Sequence, residues 1–286
     1  MRQGNMALSM LSGDQQRSVF HRVCNLLDPR DAVAFSSVDR ELRASTEALL
    51  KQLRTDHEAA TALCHKVGLR SCKELREAKH VNCFNKGLSA TDLTTLGTLG
   101  SVLPALESLY LGEHSRAADG MRRLAEVLSA GALPAVTYLS IGHMHVGDAG
   151  ASALAAALGR GALPRLKTLY LANGAITDAA LVALAPALQR LPALEVLVLS
   201  NNPFSDEGIT ALLAPPPPAG APPPQTGVLT KLYLSGTQIT DAGCAALAAA
   251  FDSGVLSALE KLGLRGTPAS AAAKAAVGRA GLEVDV

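Results

Sequence analysis

The feature that most restricts how this chain folds is a spacing of leucines that keeps returning. Leu-x-x-Leu-x-Leu stands at Leu106/Leu109/Leu111, Leu166/Leu169/Leu171, Leu194/Leu197/Leu199, Leu229/Leu232/Leu234 and Leu259/Leu262/Leu264. Val136/Leu139/Ile141 is a conservative copy and Ala78/Val81/Cys83 a weaker one. The copies begin at positions 78, 106, 136, 166, 194, 229 and 259, so they lie 28, 30, 30, 28, 35 and 30 residues apart. Self-similarity at this period marks a repeat array rather than a domain built around one centre. Within each copy the leucines alternate with small or polar residues, the period of a short strand. The stretch after each strand has helical spacing, as in Asp241-Ala-Gly-Cys-Ala-Ala-Leu-Ala-Ala-Ala-Phe251. One strand and one helix leave both flanks of their apolar layer in water, so the units must stack.

Composition agrees with thin layers. Hydrophobic residues make up 48% of the chain but aromatic ones only 3%, with no Trp, so the apolar content is mostly Leu and Ala. Lys and Arg total 26 against 25 Asp and Glu, and a net charge of +1 supplies no electrostatic reason for a nucleic acid or an anionic membrane as partner. The short apolar stretch Met6–Leu11 and the proline-broken run Gly208–Thr230 predict neither a signal peptide nor a membrane span. Five cysteines, Cys24, Cys64, Cys72, Cys83 and Cys244, are odd in number, and no Asn-x-Ser/Thr acceptor occurs. Both point to a reducing compartment, and a cytoplasmic location is expected, with nuclear and axonemal placements as alternatives.

Over roughly residues 75–286 the strand, turn and helix unit resembles the leucine-rich repeat family, in its long ribonuclease-inhibitor-like subclass. The resemblance implies an α/β fold: a right-handed leucine-rich repeat solenoid, or horseshoe, with parallel concave strands and convex helices, preceded by a small helical N-terminal module. One departure is visible. The Asn usual after the strand survives only as Asn202, with His114, Met144, Gly174, Thr237 and Thr267 in the other copies, so looser turns are expected there. Asp148, Asp178, Asp206 and Asp241 sit where a carboxylate can cap a helix N-terminus. Gly281–Val286 alternates once more and predicts a last short strand, with Glu283 and Asp285 guarding its edge. The proline-rich insert at 214–227 accounts for the long step and must end the preceding helix near Leu213. It reads as a tolerated low-complexity insertion, with a polyproline II ligand for a profilin, SH3 or WW-type partner as the alternative.

Residues 1–13 are expected to be a disordered tail, and 14–74 a helical module. Within that module, Val19–Leu42 resembles the second and larger part of an F-box, through Leu-Asp-Pro-x-Asp followed by hydrophobic positions and Ser-x-Val. The resemblance implies docking onto the adaptor subunit of a cullin-based ubiquitin ligase through Val19, Phe20, Val23, Leu27, Pro29 and Val38. An F-box ahead of a leucine-rich repeat array is the arrangement of ubiquitin-ligase substrate receptors. The same segment also reads as a plain cap over the apolar edge of the first strand.

No spacing in the chain carries catalysis: His-Glu-x-x-His, Gly-x-Ser-x-Gly, the phosphate-binding Gly-x4-Gly-Lys-Ser/Thr and Gly-x-Gly-x-x-Gly are all missing, so no enzyme activity and no cofactor are expected. Cys64, His65, Cys72, His80 and Cys83 supply ligand types for zinc without a paired knuckle, and no metal site is expected there or at His143-Met144-His145. The informative positions lie between the leucines, because side chains alternate across a strand and those not turned inward must line the concave face. All four tyrosines, Tyr110, Tyr138, Tyr170 and Tyr233, fall there. Ser108, Ser140, Thr168, Ser200 and Ser235 add hydroxyls, and Lys231, Lys261 and Arg265 add positive charge toward the C-terminal end. That mixture is the composition of protein-recognition surfaces. The expected function is a non-enzymatic, monomeric scaffold binding a protein ligand on the concave face, in the role of substrate receptor of a cullin-type ligase. The alternatives are a small-GTPase regulator, through resemblance to the Ran GTPase-activating proteins with their long-repeat horseshoe, and a cytoskeletal, axonemal or immune-receptor-like repeat protein.

Overall fold

The computed structural model describes residues 40–112, 120–128, 131–214 and 228–286. The tail expected over 1–13, the six adaptor-docking positions, His114 and the insert beyond Ala214 lie outside them. The chain divides between Glu77 and Ala78 into two compact units. In the first, α1 (Arg40–Val67) leads into α2 (Cys72–Glu77). Leu53, Ala60, Leu63 and Cys64 of α1 are buried, as are Cys72 and Leu75 of α2. Gly68 stops α1 at φ +88°, a conformation L residues rarely adopt, and Leu69 N–H closes the end on the Cys64 carbonyl at 2.8 Å.

The second unit repeats one pattern: β1 (His80–Asn82), α3 (Ala90–Leu99), β2 (Ser108–Tyr110), α4 (Gly120–Val127), β3 (Tyr138–Ser140), α5 (Gly147–Gly159), β4 (Thr168–Tyr170), α6 (Asp178–Leu188), β5 (Val196–Val198), α7 (Asp206–Leu213), β6 (Lys231–Tyr233), α8 (Asp241–Asp252), β7 (Lys261–Gly263), α9 (Ala271–Val277) and β8 (Glu283–Asp285). The strands form one parallel sheet in chain order. Their middle residues stand in strict register and make a single apolar column of Val81, Leu109, Leu139, Leu169, Leu197, Leu232, Leu262 and Val284. From Val81 to Leu262 this column is no more than 3% exposed. The flanking motif positions, such as Leu106, Leu111, Ile141, Leu171 and Leu234, are buried with it. Each helix from α3 to α9 packs on the next, which closes the other side of the layer.

The turn leaving each strand has one geometry. Asn85, His143, Asn173, Asn201, Gly236 and Gly266 occupy the same repeat position, and all are left-handed, with φ between 55° and 71°. Asn and Gly tolerate that region best. The backbone ladder continues through it, with Asn85, His143, Asn173 and Asn201 donating to the carbonyls of Gly112, Ala172, Ser200 and Ser235. The looser turns expected where Asn is missing are therefore not found in the described repeats. Met144 is buried in one such slot, and Thr237 and Thr267 donate to the Leu234 and Leu264 carbonyls of their own repeats at 2.7 and 2.8 Å.

The aspartates depart from expectation in an informative way. Helices α6, α8 and α9 are capped by the side chains of Thr177, Thr240 and Ser270, while Ser205 holds the cap position of α7 without a side-chain bond to that helix. Each aspartate reaches forward instead. Asp148 accepts from the Thr177 hydroxyl at 2.6 Å, and Asp178 accepts from Ser205 N–H and Oγ and from Gly208 N–H at 2.7, 2.9 and 2.8 Å. Asp206 holds Thr240 through its N–H and hydroxyl, and Asp241 holds Ser270 in the same way. The carboxylates thus satisfy the helix N-terminus of the following repeat, and the capping bonds become inter-repeat bonds.

Such an approach requires a missing side chain. A Cβ on Gly243 would sit 2.4 Å from Asp206 Oδ1, and one on Gly208 would sit 2.7 Å from Asp178 Oδ1. Alanine normally stabilises a helix over glycine by about 1 kcal/mol, but Gly243→Ala is expected to destabilise by about 1–2 kcal/mol because it displaces the Asp206 carboxylate from Thr240. Urea unfolding of Gly243→Ala, alone and on an Asp206→Ala background, checks this. Part of the cost should disappear once Asp206 is gone; the rest should remain, because the same Cβ would also stand 2.7 Å from Cγ2 of the buried Ile239.

The helix C-termini are tied as well. Arg160 donates to the carbonyls of Ala125 and Leu128 at the end of α4, and Gln189 to those of Leu212 and Ala214 at the end of α7. Helix α7 stops at Leu213 as predicted, and Ala214 has ψ 139°, the extended conformation that a following proline imposes. The last strand also forms where expected, with Lys261 of β7 paired to Glu283 of β8.

Candidate functional site

The candidate site is the face of the sheet opposite the leucine column, because the first and third residues of every strand must project there when the middle one is buried. The first positions run His80, Ser108, Tyr138, Thr168, Val196, Lys231, Lys261 and Glu283, and the third Asn82, Tyr110, Ser140, Tyr170, Val198, Tyr233, Gly263 and Asp285. A fifth position just beyond each strand carries Phe84, Gly112, Gly142, Ala172, Ser200, Ser235 and Arg265.

All four tyrosines are half-buried on this face. Tyr110 and Tyr138 lie in adjacent strands with ring centroids 4.9 Å apart and planes inclined at 36°. Tyr170 leans back over Gly142, where a Cβ would meet its ring at 2.5 Å. Tyr233 leans the other way, against Gly263, where a Cβ would stand 3.2 Å from its Cδ1 and 3.0 Å from Ser235 Oγ. Tyr110, Tyr138 and Tyr170 form one cluster: burial, then Tyr110 and Tyr170, push the Tyr138 phenol above its ordinary pKa. None of the four hydroxyls bonds to a described residue, and none is buried without a partner.

Three further side chains belong to the face and were not expected. Phe84 is 40% exposed, lies over Gly112 and meets His143 edge-on at 6.2 Å. Val196 and Val198, half-buried in β5, carry the apolar strip from the tyrosine cluster toward Tyr233. The signal for Phe84 was its place in the register of a repeat whose own leucines are degraded to Ala78, Val81 and Cys83.

The other expected residues divide. Ser140, Thr168, Ser200 and Ser235 are half-buried on the face, but Ser108 is buried in its strand and offers little surface. Lys231 and Arg265 are exposed and make no hydrogen bond or ion pair with a described residue. Lys261 does not supply the open charge expected of it: its Nζ lies 2.6 Å from Glu283 Oε1, and that bond holds its pKa above the ordinary lysine value. At the strand entrances Lys79 pairs with Glu107 at 3.0 Å and Lys167 with Glu195 at 2.7 Å.

Among the described residues no group of three or more His, Cys, Asp or Glu could hold a metal ion. Cys64 and Cys72 approach within 4.0 Å in the first unit, and burial, reinforced by Cys72, pushes the Cys64 thiol up to about 12. Burial does the same to Cys83, whose thiol is also pushed up to about 12. These are neutral core thiols rather than nucleophiles. A small cavity among Leu188, Leu197, Leu213 and Leu232 has leucine walls throughout and no polar group to orient a ligand. Among the described residues no helix is long and apolar enough to cross a membrane.

No curated protein matches the chain. Among solved structures, internalin C2 from Listeria monocytogenes str. 4b F2365 is similar at 19% identity and a TM-score of 0.45, over 79% of this chain and 91% of its own. The TLR13–ssRNA13 complex is similar at 17% identity and a TM-score of 0.35, over 74% of this chain and 33% of that one. An internalin (inlF) from the same Listeria strain is similar at 13% identity and 0.28, over 80% and 93%. Residues 191–213 and 228–248, which carry β5, α7, β6 and the first part of α8, match the family model described as Leucine Rich repeat. The parallel sheet in chain order and the single leucine column make the second unit a solenoid of strand–helix repeats, two of which match the leucine-rich repeat model.

Proposed function

We propose that the chain is a non-enzymatic recognition scaffold whose concave sheet binds another protein. One observation carries this reading. From β2 to β6 the large side chains of the face, Lys231 apart, are half-buried tyrosines and valines, and the four tyrosine hydroxyls have no partner within the described residues. A rigid ring with a free polar tip gains contact area on binding at little entropic cost, and for that reason tyrosine is enriched at binding hot spots. The finer reading, that residues 14–74 dock on the adaptor of a cullin-type ubiquitin ligase, is supported by the F-box resemblance of Val19–Leu42 and its place ahead of a repeat array. In that arrangement the scaffold acts by proximity, raising the local concentration of its ligand beside a ligase.

Affinity purification of the full chain, with mass spectrometry of what it retains, tests both parts. The companions should be lost from a Tyr110→Ser/Tyr138→Ser/Tyr170→Ser variant of unchanged circular dichroism, each ring contributing about 1 kcal/mol or more to binding. Companions indifferent to all three substitutions would remove the concave reading. Absence of the ligase adaptor, while a control F-box protein retains it, would remove the ligase part alone.

A further inference from the structure

The face is chemically graded along the sheet. From β2 to β4 it is aromatic, at β5 it is aliphatic, at β6 and β7 it is cationic, and at β8 it is acidic. Among the described residues, no first, third or fifth position from β1 to β7 is acidic, and the two acids of the face, Glu283 and Asp285, both stand on β8. Lys231 stands directly opposite Lys261 in the register. Like charges facing each other across strands are unfavourable, and Glu283 relieves only one of the pair. The other, Lys231, lies exposed beside the rim of Tyr233, and Arg265 lies exposed beyond Gly263. Gly263 lowers the floor between them: no side chain rises from it, Tyr233 stands at its side, and Ser235 turns its hydroxyl into the same recess. Two cations with no partner among the described residues, a phenol and a hydroxyl surround a shallow floor whose one acidic neighbour is Asp285, opposite Gly263 on β8, and the balance of charge leaves a receptor for an oxygen anion.

Resting on the recognition role proposed above, we infer that the occupant of the concave face is an extended acidic segment of a partner protein. Its carboxylates meet Lys231 and Arg265, and an apolar side chain further along it sits on Tyr138 and Tyr170. The geometry sets the spacing. From β3 to β6 is three strand intervals, roughly 14 Å at about 4.8 Å each, and an extended chain covers that in about four residues. The ligand therefore carries Asp or Glu about four residues from a Phe, Tyr, Leu or Pro, with small residues between them over Val196 and Val198. A single-stranded nucleic acid would also use rings and cations, but it requires a basic track along its whole length. Here the cations are confined to one end of the face.

The test is selection of displayed random 12-residue peptides on the full chain and on a Lys231→Glu/Arg265→Glu variant, both substitutions being at exposed positions. Wild-type protein should enrich peptides with acids about four residues from an apolar anchor. A synthetic peptide of that type should bind the variant at least about tenfold more weakly and lose affinity as salt rises. Enriched peptides without acids, bound equally by both proteins but lost on Tyr138→Ser/Tyr170→Ser, would overturn the acidic assignment and leave concave recognition standing. Enrichment untouched by any of these substitutions, or no enrichment on either protein, would overturn both. Binding that appears only after phosphorylation of the selected peptide, or a fluorescent oligo-uridine that competes with it, would replace the carboxylate ligand by a phosphate one.

Discussion

Asn202→Ala is expected to cost the repeat unit about 2–6 kcal/mol, which for an array of this size lowers the melting temperature by about 5–20 °C. Asn202 is 1% exposed and its amide spans two repeats. Its Oδ1 accepts from the N–H groups of Gly174 and Ile176, both at 3.0 Å, and its Nδ2 donates to the carbonyls of Leu171 and Leu199 at 3.0 and 2.8 Å. Truncation leaves two buried N–H donors with neither protein nor water, and each orphan costs about 1–3 kcal/mol. Because neighbouring repeats are held mainly by such interface terms, the loss should also separate the array into two unfolding steps. A thermal melt gives the total, and amide exchange at Gly174 and Ile176 gives the location. A loss below about 1 kcal/mol, with both amides still protected, would show that water replaces the side chain and that this residue does not hold the two repeats together.

Leu169→Ala should cost about 2–5 kcal/mol, whereas Tyr170→Ala, one residue away, should cost no more than about 1.5 kcal/mol of stability. Leu169 is fully buried in the middle of the apolar column, so its removal leaves a cavity between β3 and β5 that neighbouring leucines cannot fill without leaving their own register. Tyr170 is half-buried and rests on Gly142, whose missing side chain makes room for the ring without locking it into the core. The two should reverse in binding, where Tyr170→Ala weakens retention of the partner and a folded fraction of Leu169→Ala does not. Urea unfolding of both variants, paired with the affinity purification, reads the two effects separately. Equal destabilisation by the two substitutions would mean that the tyrosine is a packing residue and that the face has been misassigned.

How far the site could be read in advance differs from residue to residue. The positions of Tyr110, Tyr138, Tyr170 and Tyr233 followed from alternation alone, because a buried Leu109 or Leu169 forces its neighbours to the other side of the sheet. Their packing partners did not follow. That Tyr170 leans back toward Gly142 while Tyr233 leans forward toward Gly263 depends on which neighbour lacks a side chain, a property of adjacent repeats rather than of either one. Lys261 looked like open charge until β8 brought Glu283 beside it from 22 residues away. Phe84 was hidden because the leucines that would have flagged its register are degraded.

The aspartates mark the boundary most clearly. Their place at the start of each helix, the strand positions, the stop at Leu213 and the strand at the C-terminal edge all come from local rules of alternation, capping and proline geometry, which act within one repeat and so were determined by the sequence. Which helix each carboxylate serves, why Gly208 and Gly243 must lack a side chain, and how one asparagine holds two turns were decided only by the offset between stacked repeats. That offset is set by the sheet register and by helix packing acting together, and no single repeat contains it.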